Sequence, residues 1–131
     1  MAIDITKANA AQQSAINAII AAGRKAGEPD AVIQAAILIA NAESSFDSVA
    51  TAKPTPGNPN PTAFGLFQCT NQTWGERWAQ FVKANPNDLL AKNSASDVRT
   101  NNDAQIAIKY QDLNKALNTQ NIKWNLLYFS H

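Results

Sequence analysis

One cysteine, Cys69, and one histidine, His131, are all that 131 residues offer of the two residue types most used in metal and nucleophile chemistry. A single thiol excludes an intrachain disulfide and a cysteine-rich metal site. A single histidine, standing last, argues against Ser-His-Asp and Cys-His catalysis, HExxH zinc sites and histidine-clustered metals. The five glycines are scattered and form neither a GxGxxG turn nor a P-loop. Charge is sparse as well, at 16% of residues against a usual ~25%. Eleven Lys and Arg nearly balance ten Asp and Glu, which leaves no basic footprint for nucleic acid and no polybasic patch for anionic lipid. No run approaches the ~18 uninterrupted apolar residues of a membrane span. The opening "MAIDITKANAAQQSAINAII" carries Asp4 and Lys7 and lacks the apolar core of a signal peptide. What is left is a polar surface of Asn, Gln, Ser and Thr, suited to neutral polar ligands such as sugars, with carboxylates as the groups available for acid–base work. No metal and no organic cofactor is implied.

The apolar periodicity predicts helices and almost no strand. Ile16, Ile19 and Ile20 among alanines give a first helix from about Ala10 to Ala26, ended by Gly27. A second begins at "EPD", with Asp30 as N-cap or Pro29 in the first turn. It carries Val32, Ile33, Ala36, Ile37, Ile39 and Ala40 as a broad stripe. Residues 51–63, "TAKPTPGNPNPTA", hold four prolines and a glycine and read as an extended, stiff loop of polyproline character. Trp74, Trp78, Phe81 and Val82 then fall on one face of a third helix ending near "NPND", where aromatic packing in a core competes with stacking on a ligand. "NDLLAKN" adds a short helical turn, and Ile106, Tyr110, Leu113 and Leu117 mark a helix starting at Asn102 or Asp103. A last helix is predicted over Ile122–Tyr128, and Asp97 and Asp103 read as caps.

One carboxylate is out of keeping with its surroundings. Val32, Ala36 and Ile39 form a row whose next member, four residues on, is Glu43. That places the glutamate on the buried stripe, in the last helical turn, where desolvation and the backbone dipole both favour the protonated acid. Such a group can donate a proton near neutral pH. The competing reading turns Glu43 to the surface, paired with Lys53.

The flanking residues carry a resemblance. "ESSFDSVATA" and, after the loop, "TAFGLFQ" resemble the two signature blocks of the soluble lytic transglycosylase family of the lysozyme-like superfamily, approximately E-S-x-F-[DN]-P-x-A-x-S and G-A-x-G-L-M-Q. Glu43, Ser44, Phe46, Asp47 and Ala50 match the first block; Ala63, Gly65, Leu66 and Gln68 match the second. Ser48 stands in place of the proline, Ala52 of a serine with Thr51 beside it, Thr62 of the first glycine and Phe67 of the methionine. The loop is longer than the family's spacer, and the later Tyr-Asn-x-Gly element is missing, with "LLYFSH" in its place.

The resemblance implies a single mainly α domain over residues 1–131, an α+β lysozyme-like helical bundle around a glycan cleft. The Pro-rich loop would replace most of the usual small sheet. It implies peptidoglycan glycan as partner, cut between N-acetylmuramic acid and N-acetylglucosamine by an isolated, monomeric domain. Glu43 would protonate the glycosidic oxygen and then take the proton of the muramoyl C6 hydroxyl as a 1,6-anhydro ring closes. Ser44, Ser45, Thr51, Gly65, Phe67, Gln68 and Tyr110 would contact substrate. Bland readings stand beside these: capping for Ser44 and Ser45, a turn glycine at Gly65, core packing for Phe67 and Tyr110, a turn or cap for Asp47 and an inert small hydrophobe at Cys69. Two other functions stay open, a muramidase using a second carboxylate such as Asp47, and a non-catalytic glycan-binding or structural module of a phage tail. Without a signal peptide, the expectation is action in the periplasm or cell wall after delivery by a phage or a secretion machine.

Overall fold

A computed structural model describes the backbone of residues 7–120 and the side chains of residues 7–117. The helix predicted over Ile122–Tyr128, the "LLYFSH" segment and His131 lie outside the described residues. Within them the fold is mainly helical: α1 (Ala10–Lys25), α2 (Asp30–Ser44), α3 (Asn71–Ala84), a short 3-10 helix (Leu89–Lys92) and α4 (Asn102–Gln120). No helix among the described residues is long and apolar enough to cross a membrane.

Local chemistry sets the boundaries. Asn9 and Gln12 form a reciprocal capping box at the start of α1. At its end Gly27 adopts a φ of 74°, with Gly27 N–H donating to the Arg24 carbonyl and Glu28 N–H to that of Gly23. This is the Schellman arrangement that a glycine after the last turn permits. Pro29 is the N-cap of α2 and Asp30 its first residue, one step from both positions predicted. Asn101 Oδ1 caps α4 by accepting from Ala104 N–H at 3.0 Å, and Asp88 caps the 3-10 helix. Asp97 is not the cap at α4, and Asp103 lies inside its first turn.

Two core clusters form. The first joins α1, α2 and α4 through Ile16, Ile19, Val32, Ala36, Ile106 and Tyr110, and takes in Leu66 at 0% exposure. The second gathers Trp74, Trp78, Phe81, Val98, Ala104 and Ile108 between α3 and α4. The aromatic row of α3 is therefore core, with Trp74 and Trp78 donating their indole N–H groups to the carbonyls of Ala95 and Asn93.

The Pro-rich loop is exposed along most of its length. Its ends are joined, Ala52 N–H donating to Ala63 O and Gly65 N–H to Ala50 O. Its tip is not extended as predicted: Thr55 and Asn58 exchange two backbone bonds of 3.0 Å around Pro56-Gly57, a turn that this dipeptide favours. Three isolated bridges, Thr51–Phe64, Thr55–Asn58 and Phe64–Cys69, are the β-structure of the described residues.

Candidate functional site

The two sequence blocks meet at the end of α2. Ser44 Oγ lies 2.8 Å from the Leu66 carbonyl and 3.1 Å from that of Ala40, and accepts from Asp47 N–H at 3.2 Å. Its single proton serves one carbonyl at a time. Ser44 thus ties the helix end to the Gly65–Gln68 turn and does not reach the Glu43 carboxyl. The non-glycine residues with positive φ among those described are Ser45 (51°), Phe46 (65°) and Gln68 (51°), all inside the two blocks. Backbone strain of this kind costs of order 1–3 kcal/mol per residue and gathers where function or over-determined packing holds it.

Glu43 is exposed, which corrects the expectation that it occupies the buried stripe. The row does lead to it, but burial fades along it: Val32 and Ala36 are buried at 2% and 0% exposure, and Ile39 is only partly buried. One turn further Ser44 turns to the Leu66 carbonyl, while the carboxylate beside it stands uncovered. It makes no ion pair with Lys53, since Arg77–Asp112 is the salt bridge found among the described residues.

The other predicted contacts divide. Ser45 is the left-handed C-cap of α2, and its carbonyl accepts from Gln12 Nε2 at 3.1 Å. Thr51 is exposed at the neck of the Pro-rich loop, bridged to Phe64. Gln68 directs its amide nitrogen inward to Ala50 O (3.0 Å) and Gly65 O (2.9 Å), leaving its carbonyl oxygen for a ligand. Phe67 is half-buried with the Lys109 ammonium 5.5 Å from its ring centroid. Gly65 was expected to let backbone approach a sugar. What approaches instead is Gln105: a Cβ at Gly65, whose φ is 87°, would meet Gln105 Oε1 at 2.5 Å. Tyr110 is corrected outright. It is 6% exposed in the first core cluster and donates its hydroxyl proton to Ile19 O at 2.7 Å, so it is spent on α1 and is not presented to a substrate. Asp47 Oδ1 accepts from Val49 N–H at 3.0 Å, the turn role that was its bland reading.

Two residues absent from the sequence reading hold the site together. Gln105, 5% exposed, accepts from Leu66 N–H at 2.8 Å and donates to Ser48 O and Arg99 O at 3.1 and 3.0 Å. Arg99 donates to Asn71 Oδ1, Thr62 O and Cys69 O, and its guanidinium stands 5.7 Å from the centroids of Phe64 and Trp74. Partial burial pulls Arg99 below its ordinary value and, with the same cause leading, pushes the half-buried Cys69 thiol up, which keeps that thiol protonated and inert. The signal for Gln105 was a lone amide inside the apolar run "AQIAI"; for Arg99 there was none.

Two depressions border these segments. One, of about 500 Å³, lies between the start of α1 and the Ser44–Ser48 turn and includes Gln12, Phe46 and Asn102. The other, of about 210 Å³, lies beside Phe67 and Gln68 between α3 and α4. Glu43 lines neither. No group of three or more metal-binding side chains is found among the described residues. No protein-family model, no curated protein and no solved structure matches this chain.

Proposed function

We propose that this chain cleaves the β-1,4 bond between N-acetylmuramic acid and N-acetylglucosamine of peptidoglycan, with Glu43 as the acid and then the base, and that it releases 1,6-anhydromuropeptides. The observation that carries the reading is the 2.8 Å contact of Ser44 Oγ with Leu66 O. It puts the end of the Glu43 helix against the turn of the second block, the pairing that a shared glycan site requires. In the free chain Glu43 is open, and a strand laid across the end of α2 would supply the cover that the fold does not. A carboxyl covered in this way donates its proton to the leaving oxygen; as carboxylate it accepts the C6 hydroxyl proton while that oxygen closes on the anomeric carbon. The nucleophile belongs to the sugar, so no second carboxylate is needed. An isolated domain acting on cell wall after delivery by a phage or secretion machine accords with this reading.

The test is mass spectrometry of the soluble products from purified peptidoglycan, with Glu43→Gln alongside. Anhydro products are expected from the parent chain and a loss of at least about 100-fold from the variant, whose melting temperature should match the parent's. Reducing-end products would replace ring closure by hydrolysis. Binding of peptidoglycan without any product from the folded parent chain would overturn catalysis.

A further inference from the structure

The side of α4 turned away from Phe67 and Gln68 carries a separate groove of about 440 Å³. Gln105, Ile108, Lys109 and Asp112 line the cavity beside Phe67, whereas Asp103, Ala107, Gln111 and Asn114 line this one. At ~100° per residue the two sets centre on opposite sides of the helix. The ends of α1 and α3 complete the groove, and its floor is small and apolar: Ala22, Ala26, Phe81, Ala84, Ala107 and Tyr110. Neither Glu43 nor any Lys or Arg is among its lining residues.

The rim above that floor is made of acceptors. Asp88 and Asp103 both line it, and the salt bridge found among the described residues is Arg77–Asp112, so neither carboxylate has a cation. Asp88 Oδ1 accepts from Leu90 N–H at 2.9 Å, which leaves Oδ2. The three amides of the rim spend their nitrogens on the fold. Asn85 Nδ2 donates to Phe81 O at 3.0 Å and Gln111 Nε2 to Arg77 O at 3.2 Å. Asn114 Nδ2 donates to the Glu28 carboxylate at 2.7 and 3.0 Å and to Tyr110 O. Their carbonyl oxygens have no donor among the described residues. In a chain of eleven Lys and Arg against ten Asp and Glu, this acidity is local. Leu89, next to Asp88 in the chain, is 79% exposed, as few large apolar side chains of the described residues are.

We infer that this groove docks a basic amphipathic helix of a partner protein, with apolar side chains on the alanine floor and Lys or Arg groups on Asp88 and Asp103. Acceptors call for donors, and Lys and Arg are the side chains that only donate. The apolar floor calls for a second, apolar face on the same ligand, which a free cation or small amine lacks. Along α4 the lining runs from Asp103 to Asn114, roughly 16 Å at ~1.5 Å per residue, the length of about three turns of a docked helix. Such a helix leaves Glu43 and the Gly65–Gln68 turn uncovered, so the inference does not depend on the glycan reading.

Fluorescence anisotropy with a labelled helical peptide of about four turns, Leu on one face and Arg along its flanks, tests it. The parent chain is expected to bind, and Asp88→Asn with Asp103→Asn to bind about tenfold more weakly, the loss of two exposed ion pairs. Asn at position 88 keeps a capping oxygen, and matching melting temperatures would show the fold intact. Ala84→Arg, at an exposed floor position, should weaken binding at least as much. Amide shifts in two-dimensional NMR should gather at Ala22, Ala26, Ala84 and Ala107 and spare Glu43 and Gln68. No binding at about 1 mM peptide, or equal binding by the folded double variant, would overturn the inference. So would equal binding of a peptide with Ser in place of Leu, shifts gathered elsewhere, or a dimer of the parent chain that the peptide does not dissociate and that buries the groove.

Discussion

Tyr110 illustrates how one side chain can satisfy a core and still report on it. Its ring belongs to the first cluster, its hydroxyl donates to Ile19 O at 2.7 Å, and a Cβ at Gly23 would meet that hydroxyl at 2.5 Å. Burial, with the nearby Glu28 carboxylate adding to it, pushes the phenol well above its ordinary value. An unfolded tyrosine releases its proton near pH ~10, whereas the folded one holds it, so the native state binds more protons above that point and stability falls as pH rises. The contribution is fully present below pH ~10 and is lost as pH climbs through the folded value. Tyr110→Phe removes both the hydrogen bond and the titration. It is expected to cost about 1 kcal/mol at pH 8 and to lose less stability than the parent chain between pH 8 and 10.5. Urea melts of the two proteins at both pH values measure this, and taking their difference cancels groups common to both, Tyr128 included. Equal alkaline losses would mean that the buried phenol is not the group that titrates.

At the scale of elements, the end of α2 is where local preference and tertiary demand part. Ser45 and Phe46 both take positive φ, which a β-carbon disfavours and which glycine or asparagine would adopt more readily. The conformation persists because Phe46 is buried at 5% exposure, and Ser44 and Ser45 are bonded to Leu66, Ala40 and Gln12. Ser45→Gly keeps the backbone bonds and relieves the strain. A gain of about 0.5–1 kcal/mol in denaturant stability is expected, and a loss would mean that the Ser45 side chain contributes contacts outweighing that relief. The helices themselves were legible, because α1, α2, α3 and α4 each carry apolar residues at helical spacing, with Gly27 closing α1 and the Asn-Pro segment at 85–86 closing α3. Glu43 was misplaced because periodicity tells which side of a helix a residue occupies and not where the neighbours stop. The tip of the Pro-rich loop was misread as extended because its prolines constrain φ without revealing the Thr55–Asn58 pairing. Gln105 went unread because a lone amide in an apolar run does not reveal which backbone groups it bonds, and Arg99 because two of its three hydrogen-bond acceptors are backbone carbonyls, which leave no trace in side-chain pattern.

Across the whole molecule, α4 is the element that makes two cores one protein. Ile106, Tyr110 and Leu113 face the first cluster, while Ala104 and Ile108 face the second. The supports of the outer helices differ. α1 and α2 pack on each other and both pack on α4, whereas the main helical contacts of α3 are with α4 and the 3-10 helix. Opening α3 alone would expose the second cluster and leave the first closed, so the part of the molecule that walls the cavity beside Phe67 and Gln68 should be the first to yield. Proteins open in such cooperative units at free energies below that of global unfolding. Native-state hydrogen exchange across a urea series is therefore expected to give the α3 amides a lower opening free energy and a smaller denaturant slope than the slowest amides of α1, α2 and α4. The slope matters most, since it scales with the surface exposed and separates a partial opening from a uniformly weak protein. A single free energy and slope shared by all four helices would mean that α4 couples the clusters completely. In that case the cavity wall could open only with the whole fold.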